Sequence, residues 1–436
     1  MTASSDTTAR AALRKAAWKN PTGAAVRAEA QRLLGFFEAA GAVPVEADLL
    51  QPSARLLDLY GEDIRARAYV TSDPVRGELM LRPDFTLPVV EAHMAEGADP
   101  ARYCYVGEVF RRQEEDDGRA SEFLQVGYEL FDGAATHEAD AEVFSLFAAA
   151  LGTVPVRAVT GDIGFLAAAV RGLSTSDVRK NALLRHIWRP HRFRALLERF
   201  AGRVPMAESR KKLLADPDPL APVRDGRIPL HGLRSEADIA ARINALKADA
   251  ETAPISGAEV DLLSEILSLE LASPAALAKL REIGSDLPAI RAQTEVMARR
   301  LDALAARGIA VDDLAFEASH GRSAMEYYDG FVFSFHALNT QIEQPIATGG
   351  RYDALTKVLG QGQAIPAVGG VIRPDLALQA QTRAASNAAL GGGVADGAAA
   401  DHTAEGAAAG VHPADQPASA VAEQDIANSS RSEARQ

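Results

Sequence analysis

Between residues 103 and 129 the chain places three side chains whose chemistry suits a small polar ligand. An alternating run with Tyr103, Tyr105 and Val109 leads into Phe110-Arg111-Arg112-Gln113-Glu114. A polar loop follows, then Glu122-Phe123-Leu124-Gln125-Val126-Gly127-Tyr128-Glu129. An arginine at a strand end grips a phosphate or carboxylate through two parallel N–H bonds. Gln125 and Glu129 stand four apart, so in a strand both point to one face. A carboxylate and an amide there hold an ammonium or an imidazole. Arg111, Gln125 and Glu129 are therefore the first candidate binding residues.

Such side chains need elements to aim them. Ala24 to Ala40 reads as a helix with Val26, Ala30, Leu33, Leu34 and Phe37 on one side and Gly41 as its stop, followed by an extended run from Ala42 to Leu50. Leu79-Met80-Leu81 leads into Arg82-Pro83-Asp84-Phe85-Thr86, where Pro83 biases Arg82 away from helical geometry. Helices are predicted over Leu87 to Met94 and over 138–151. From about Leu166 to Leu304 the texture turns rich in Ala, Leu, Arg and Glu, with breaks at Pro205, Pro217, Pro219, Pro254 and Pro288, which predicts a mostly helical insertion. Strand character returns at Phe316 and continues through Tyr327-Tyr328 and Phe331 to Phe335, with Asp329-Gly330 as a turn. Thr348 to Asp353, a short helix and a strand from Ala367 to Ile372 complete the pattern. No aromatic residue lies past Tyr352, and the Ala-, Gly- and Ser-rich stretch after Gln381 predicts disorder. The expected organisation is a core in two parts, 1–165 and 312–380, an insertion at 166–311 and a disordered tail at 381–436.

A chain of 436 residues with 47% apolar content suits a soluble globular protein of two or three domains. Its net charge of −13, from 46 basic and 59 acidic residues, argues against a general nucleic-acid surface. No long apolar run predicts a membrane span, and the basic N-terminus (Arg10, Arg14, Lys15, Lys19) lacks the apolar stretch of a secretion signal, so a cytoplasmic location is expected. The single cysteine, Cys104, reads as a small hydrophobe in a strand. Glu114 to Asp117 reads as a solvated loop tip, and His186, His191 and His231 lack metal-ligand spacing. Trp188 among Arg185, Arg189, Arg192 and Arg194 is either a packed aromatic with snorkelling arginines or a phosphate or RNA patch.

Five patches in order carry a resemblance: Leu81 to Thr86; Phe110-Arg111; Gln125 with Glu129; Met325-Glu326-Tyr327-Tyr328; and Gly349-Gly350-Arg351-Tyr352-Asp353 leading to Pro366-Ala367-Val368-Gly369. Together they resemble class II aminoacyl-tRNA synthetases, and among these histidyl-tRNA synthetase. The resemblance implies an α+β fold, an antiparallel sheet flanked by helices, with the first helix and strand at a dimer interface. It also implies a histidine pocket: Asp84, Thr86 and Gln125 on the α-ammonium group, Glu129 and Tyr328 facing the imidazole, and Tyr327 beside them. The departures concern catalysis. The synthetase's signature arginine falls on Ser323, with Arg322 one residue away and so on the other face of a strand. Gln113 and Ile372 stand where the family has glutamates, whereas Arg111 and Arg373 are kept. The low-complexity tail cannot be the synthetase's anticodon-binding domain.

A synthetase core with an incomplete catalytic set resembles the regulatory subunits of ATP phosphoribosyltransferase, over about residues 20 to 380 and best at Met325 to Phe333. That resemblance implies no catalysis and no cofactor of its own. The implied partner is a short-form catalytic subunit in a hetero-octamer, with histidine as effector. Two other readings compete: a divergent ligase activating histidine or another amino acid for a non-tRNA acceptor, kept open by Arg111 and Arg373, and a plain interaction module with an empty pocket.

Overall fold

The computed structural model describes residues 23–54, 68–113, 119–230, 234–322, 327–338 and 341–391. The acidic 114–117 stretch, His231, Ser323, Met325, Glu326 and the chain after 391 lie outside the described residues. The first compact unit ends at Ala388; of the second, which begins at Ala389, only the end of the last helix is described.

Helix α1 (Gly23–Ala39) forms where the apolar spacing predicts it and buries Ala30, Leu33, Leu34 and Phe37. Gly41, at φ +92°, turns the chain out of it. The run expected to be extended from 42 to 50 yields two short strands, β1 (Val43–Pro44) and β2 (Leu50–Pro52). Strands β3 (Val70–Asp73) and β4 (Gly77–Leu81) join β2 in a small antiparallel sheet of order β2-β4-β3. Helix α2 (Thr86–Glu96) follows, then the long pair β5 (Ala101–Phe110) and β6 (Glu122–Phe131), helix α3 (Thr136–Leu151) and strand β7 (Val156–Asp162).

The predicted helical stretch is helical, and it starts at Ile163, before Leu166. It holds α4 (Ile163–Gly172), α5 (Asp177–Arg185), α6 (Pro190–Phe200), α7 (Glu208–Ala215), α8 (Ala221–Arg224), α9 (Glu236–Glu251), α10 (Gly257–Leu267), α11 (Ser273–Asp286) and α12 (Arg291–Ala306). Two of these starts were readable as Ser-x-x-acid: Ser235 with Asp238 and Ser256 with Glu259 form reciprocal capping boxes. The stretch also contains β8 (Glu270–Ala272), which pairs with β9 (Ala315–Glu317). Strands β10 (Phe331–Ala337) and β11 (Ala347–Arg351), helix α13 (Asp353–Leu359), strand β12 (Ala367–Ile372) and helix α14 (Pro374–Gly391) complete the chain. Helix α14 passes well beyond Gln381, where disorder was expected. It opens on Pro374 and is Ala-rich, which favours helix, and Leu376, Ala377 and Ala380 anchor it.

The main sheet has nine strands in the order β1-β5-β6-β12-β11-β10-β7-β9-β8. Its pairs are antiparallel except β1 with β5 and β7 with β9. Alternation sorts its two faces. Phe331, Phe333 and Phe335 meet Phe144 of α3 at ring distances of 6.3, 5.5 and 5.1 Å, and Phe37 of α1 meets Tyr128 and Phe147, each at 5.4 Å. The opposite face carries Tyr105, Gln125 and Glu129, and α2 lies on it through His93, stacked on Phe131 at 3.8 Å.

A buried ion network ties the helical layer to the strand ends. Arg300 of α12 bonds Asp140 of α3 at 3.1 Å and Asp162 of β7 at 2.7 Å, and Arg351 of β11 bonds Asp140 at 2.6 Å. Removing one member leaves a buried charge without its partner. Arg300→Met is expected to destabilise the fold by roughly 3–5 kcal/mol in chemical denaturation; a change below about 1 kcal/mol, the scale of a surface pair, would show that the network contributes little.

Candidate functional site

The site is built around one carboxylate. Glu129 is 1% exposed, and an ionised carboxylate at that depth needs donors. The hydroxyls of Thr86 and Tyr105 donate to its Oε1 at 3.0 and 2.9 Å, and that of Tyr352 donates to Oε2 at 2.6 Å. The strands make room for this. Tyr105 faces Gly127 across β5 and β6, and a Cβ at Gly127 would lie 2.1 Å from the Tyr105 ring. Gly369 of β12 faces Glu129, and a Cβ there would lie 1.6 Å from Glu129 Oε2. Only glycine fits where side chains lie this flat on the sheet.

The loop before α2 is pinned from below. Arg82 donates to the Glu108 carbonyl at 2.8 Å and to the Ala47 carbonyl, and its guanidinium lies 4.0 Å over Phe85. Phe85 stacks on Tyr105 at 4.4 Å. This holds buried Asp84 and Thr86 at the start of α2. The aromatic wall comes from the other half of the chain. Tyr327 donates to the Thr86 hydroxyl at 3.4 Å, and its ring stands 4.9 Å from Tyr328 and 6.0 Å from Tyr352.

All seven predicted residues have definite places, six of them around Glu129, with one rearrangement. Thr86, expected beside Asp84 and Gln125, has its hydroxyl on Glu129. Gln125 shares the Glu129 face of β6; it is 2% exposed, and its Oε1 has no hydrogen-bond partner. A buried acceptor left this way costs about 1–3 kcal/mol, which a ligand N–H would recover. The seventh, Arg111, donates through Nε to the Pro83 carbonyl at 3.0 Å and lies over Phe123 at 5.5 Å. Tyr105 and Tyr352, which bond Glu129, are the site residues that the sequence reading did not single out. Tyr105 stood in the alternating run and Tyr352 in a matched patch, but which carboxylate each meets depends on strand register.

The two other arginines of interest are engaged. Arg373 pairs with Asp375 at 2.8 Å and stacks on Phe123 at 3.8 Å. Arg322, in a turn, donates to the Ile187 carbonyl at 2.8 Å and lies over Phe193 of α6 at 5.1 Å, so it faces the helical stretch. Trp188 is half-buried, and its indole N–H donates to the Tyr328 carbonyl at 2.9 Å. The site therefore offers buried acceptors and aromatic rings, a chemistry for a small ligand bearing ammonium or N–H donors.

Comparison with known proteins bears on the family and the fold. A sequence profile for histidyl-tRNA synthetase matches residues 19–216 and 234–375. ATP phosphoribosyltransferase regulatory subunits of Brucella canis and Brucella suis are each 33% identical to the chain over 344 residues, which is 74% of this chain and 89% of theirs. A solved ATP phosphoribosyltransferase regulatory subunit/histidyl-tRNA synthetase from Bacillus halodurans has a TM-score of 0.56 at 20% identity, over 85% of this chain and 90% of that one. A histidine–tRNA ligase subunit from Alicyclobacillus acidocaldarius gives 0.52 at 24%, over 83% and 94%. At these identities the two structures show a shared fold.

The electrostatics of Glu129 set a pH dependence. Burial pushes its carboxyl up, the hydroxyls of Tyr352, Tyr105 and Thr86 pull it back, and neighbouring Asp84 adds a smaller push, for a result of about 7. The folded chain therefore holds a proton that the unfolded chain releases between about pH 4.5 and 7. The stability linked to this group is full below that window and lost as pH rises through it, by ~3 kcal/mol. Asp329, also pushed up to about 7 by burial, acts with the same sign, so a single variant isolates one share. Glu129→Gln is expected to flatten the fall in unfolding free energy between pH 5 and 8 by ~3 kcal/mol; an unchanged slope would place the proton elsewhere.

Proposed function

The chain belongs to the family of ATP phosphoribosyltransferase regulatory subunits, which is histidyl-tRNA synthetase-like, and from that premise we propose that it serves the first step of histidine biosynthesis without catalysing it. It binds a short-form catalytic subunit in a hetero-octamer in which this chain also pairs with itself. It activates that subunit and makes it sensitive to histidine. The observation that carries the reading is the buried Oε1 of Gln125, an acceptor without a partner on the strand face of Glu129. Histidine has the ammonium and imidazole N–H groups that such acceptors take. In this role Gln125 and Asp84 receive the ammonium group. Glu129, with Tyr327 and Tyr328, meets the ring.

The same pocket is poorly furnished for adenylate chemistry, which needs positive charge aimed at a polyphosphate. Arg373 is paired with Asp375, Arg111 is bonded to a backbone carbonyl, and Arg322 faces the helical stretch. Ser323 stands where the synthetase has its arginine, a loss of roughly 3–4 kcal/mol by comparison with an oxyanion donor. A pocket that binds histidine and leaves it intact is a sensor, and a preference of ~1–3 kcal/mol for one state of the complex suffices for regulation.

Mixed with a short-form catalytic subunit, the chain is expected to raise phosphoribosyl transfer, and histidine to lower it. Gln125→Ala is expected to raise the half-inhibitory histidine concentration ~10-fold, the scale of one hydrogen bond to a charged group. Activation that histidine leaves untouched, at any concentration, would refute the sensor role. Separately, the purified chain is expected to show no histidine-dependent exchange of pyrophosphate into ATP; measurable exchange would establish a ligase.

A further inference from the structure

Four arginines gather around one carboxylate in the helical stretch. Asp249 of α9 accepts from Arg179 of α5 at Oδ1 and from Arg210 of α7 at Oδ2, each at 2.5 Å. Arg179 is buried, and beyond Asp249 Oδ1 it donates to the backbone carbonyls of Phe200, Asp249, Thr252 and Ala253. Asp249 therefore balances the charge of Arg179, and the pair forms the floor of the cluster. Arg199 of α6 lies close to that floor. Its guanidinium and that of Arg179 stand 5.0 and 5.1 Å from the centre of one ring, Phe200. Arg242 precedes Asp249 by seven residues on α9 and so lies on the same face of that helix.

Three cations are left over. Arg210 shares Asp249 with Arg179, and its Nε is buried with no hydrogen-bond partner. Arg199 and Arg242 are exposed, and among the described residues neither makes a hydrogen bond or an ion pair. Their charges are felt mutually. Burial and then Arg210 push the Arg199 guanidinium down, Asp249 pushes it back, and Arg179 and Arg242 lower it further. Like charges held together in this way attract an anion. There is room for one, since Arg199 and Arg242 reach solvent and α7, which carries Arg210, buries no residue.

We propose that Arg199, Arg210 and Arg242 form an anion site for a diphosphate group, either free pyrophosphate or the diphosphate of a nucleotide. One phosphoryl group brings close to two negative charges and three acceptor oxygens. Two linked phosphoryl groups match three guanidinium forks better than a single phosphate or carboxylate does. A nucleic-acid backbone fits less well, because the arginines form one cluster, not a stripe, and the chain carries a net charge of −13.

The test is calorimetry on the full chain at fixed ionic strength and without divalent cations, titrating pyrophosphate, ADP and inorganic phosphate. The wild type is compared with Arg199→Ala and Arg242→Ala, two exposed substitutions, and with Arg299→Ala, which removes an exposed cation on α12. Saturable binding of pyrophosphate or ADP is expected, weakened ~10-fold by Arg199→Ala and by Arg242→Ala, as for one charge-assisted bond. Arg299→Ala and the pocket variant Gln125→Ala are expected to leave it unaltered. Tighter binding of pyrophosphate would identify the free ion, and tighter binding of ADP a nucleotide. The proposal is overturned if neither binds, if inorganic phosphate binds as tightly as both, if Arg199→Ala and Arg242→Ala bind as the wild type does, or if only a single-stranded RNA oligomer binds in an Arg199-dependent way.

Discussion

A carboxylate buried in the middle of a sheet is the constraint around which this molecule is arranged. Among the described residues no cation pairs with Glu129. It is held by three hydroxyls, from the start of α2, from β5 and from the residue before α13. These segments lie far apart in the chain and must converge to within hydrogen-bond length, since a buried carboxylate short of donors costs several kcal/mol. The register of β5, β6 and β12 follows from the same demand. Gly127 and Gly369 are the positions where Tyr105 and Glu129 lie flat on the sheet. A slip of β6 by one residue would turn Glu129 toward the aromatic layer of Phe37 and Phe147, away from all three hydroxyls.

The two faces of the sheet solve their charge problem differently. Toward α3 and α12, Asp140 and Asp162 are matched by Arg300 and Arg351. That set is closed, with its charges satisfied internally. Toward α2, acceptors outnumber donors: Glu129 has only hydroxyls, and Gln125 Oε1 has nothing. Nearby cations are engaged by carbonyls, rings or Asp375. A surplus of acceptors favours holding a donor-rich ligand, and a shortage of free cations disfavours driving a polyphosphate reaction. On the proposed reading, the change from enzyme to sensor lies in this imbalance within an otherwise intact fold.

How much of this was legible in the sequence depends on the distance over which each feature is decided. Helices α1, α2 and α3 and strand β12 are set by local periodicity and were readable within a few residues. So was the shared face of Gln125 and Glu129, which needs only the period of a strand. The meeting of Tyr105 and Tyr352 on Glu129 was not readable, because it depends on the pairing of β6 with β12 and the placement of α13. Nor was the pairing of β8 with β9, three residues long within a helical stretch. The end of helix α14, past Gln381, departs from the expectation for a different reason. The low aromatic content after Gln381 was taken as inability to order, but Ala-rich sequence continues a helix already anchored by Leu376, Ala377 and Ala380.

The helical stretch is fastened to the pocket wall at one turn, and from both sides. Trp188 donates to the Tyr328 carbonyl, and Arg322, from the segment leading to that wall, donates to the Ile187 carbonyl. These adjacent residues connect the backbone of Tyr328 to the turn before α6, which begins at Pro190. In the proposed role, a ligand seated against Tyr327 and Tyr328 acts on the carbonyl that Trp188 holds. A hydrogen bond of this kind contributes about 0.5–1.5 kcal/mol net, and regulatory coupling between two sites is typically 1–3 kcal/mol. Making or breaking these two bonds in one state of a complex therefore matches the energy that such regulation requires. No large rearrangement of the sheet is needed, and the strands that hold Glu129 are free to remain rigid.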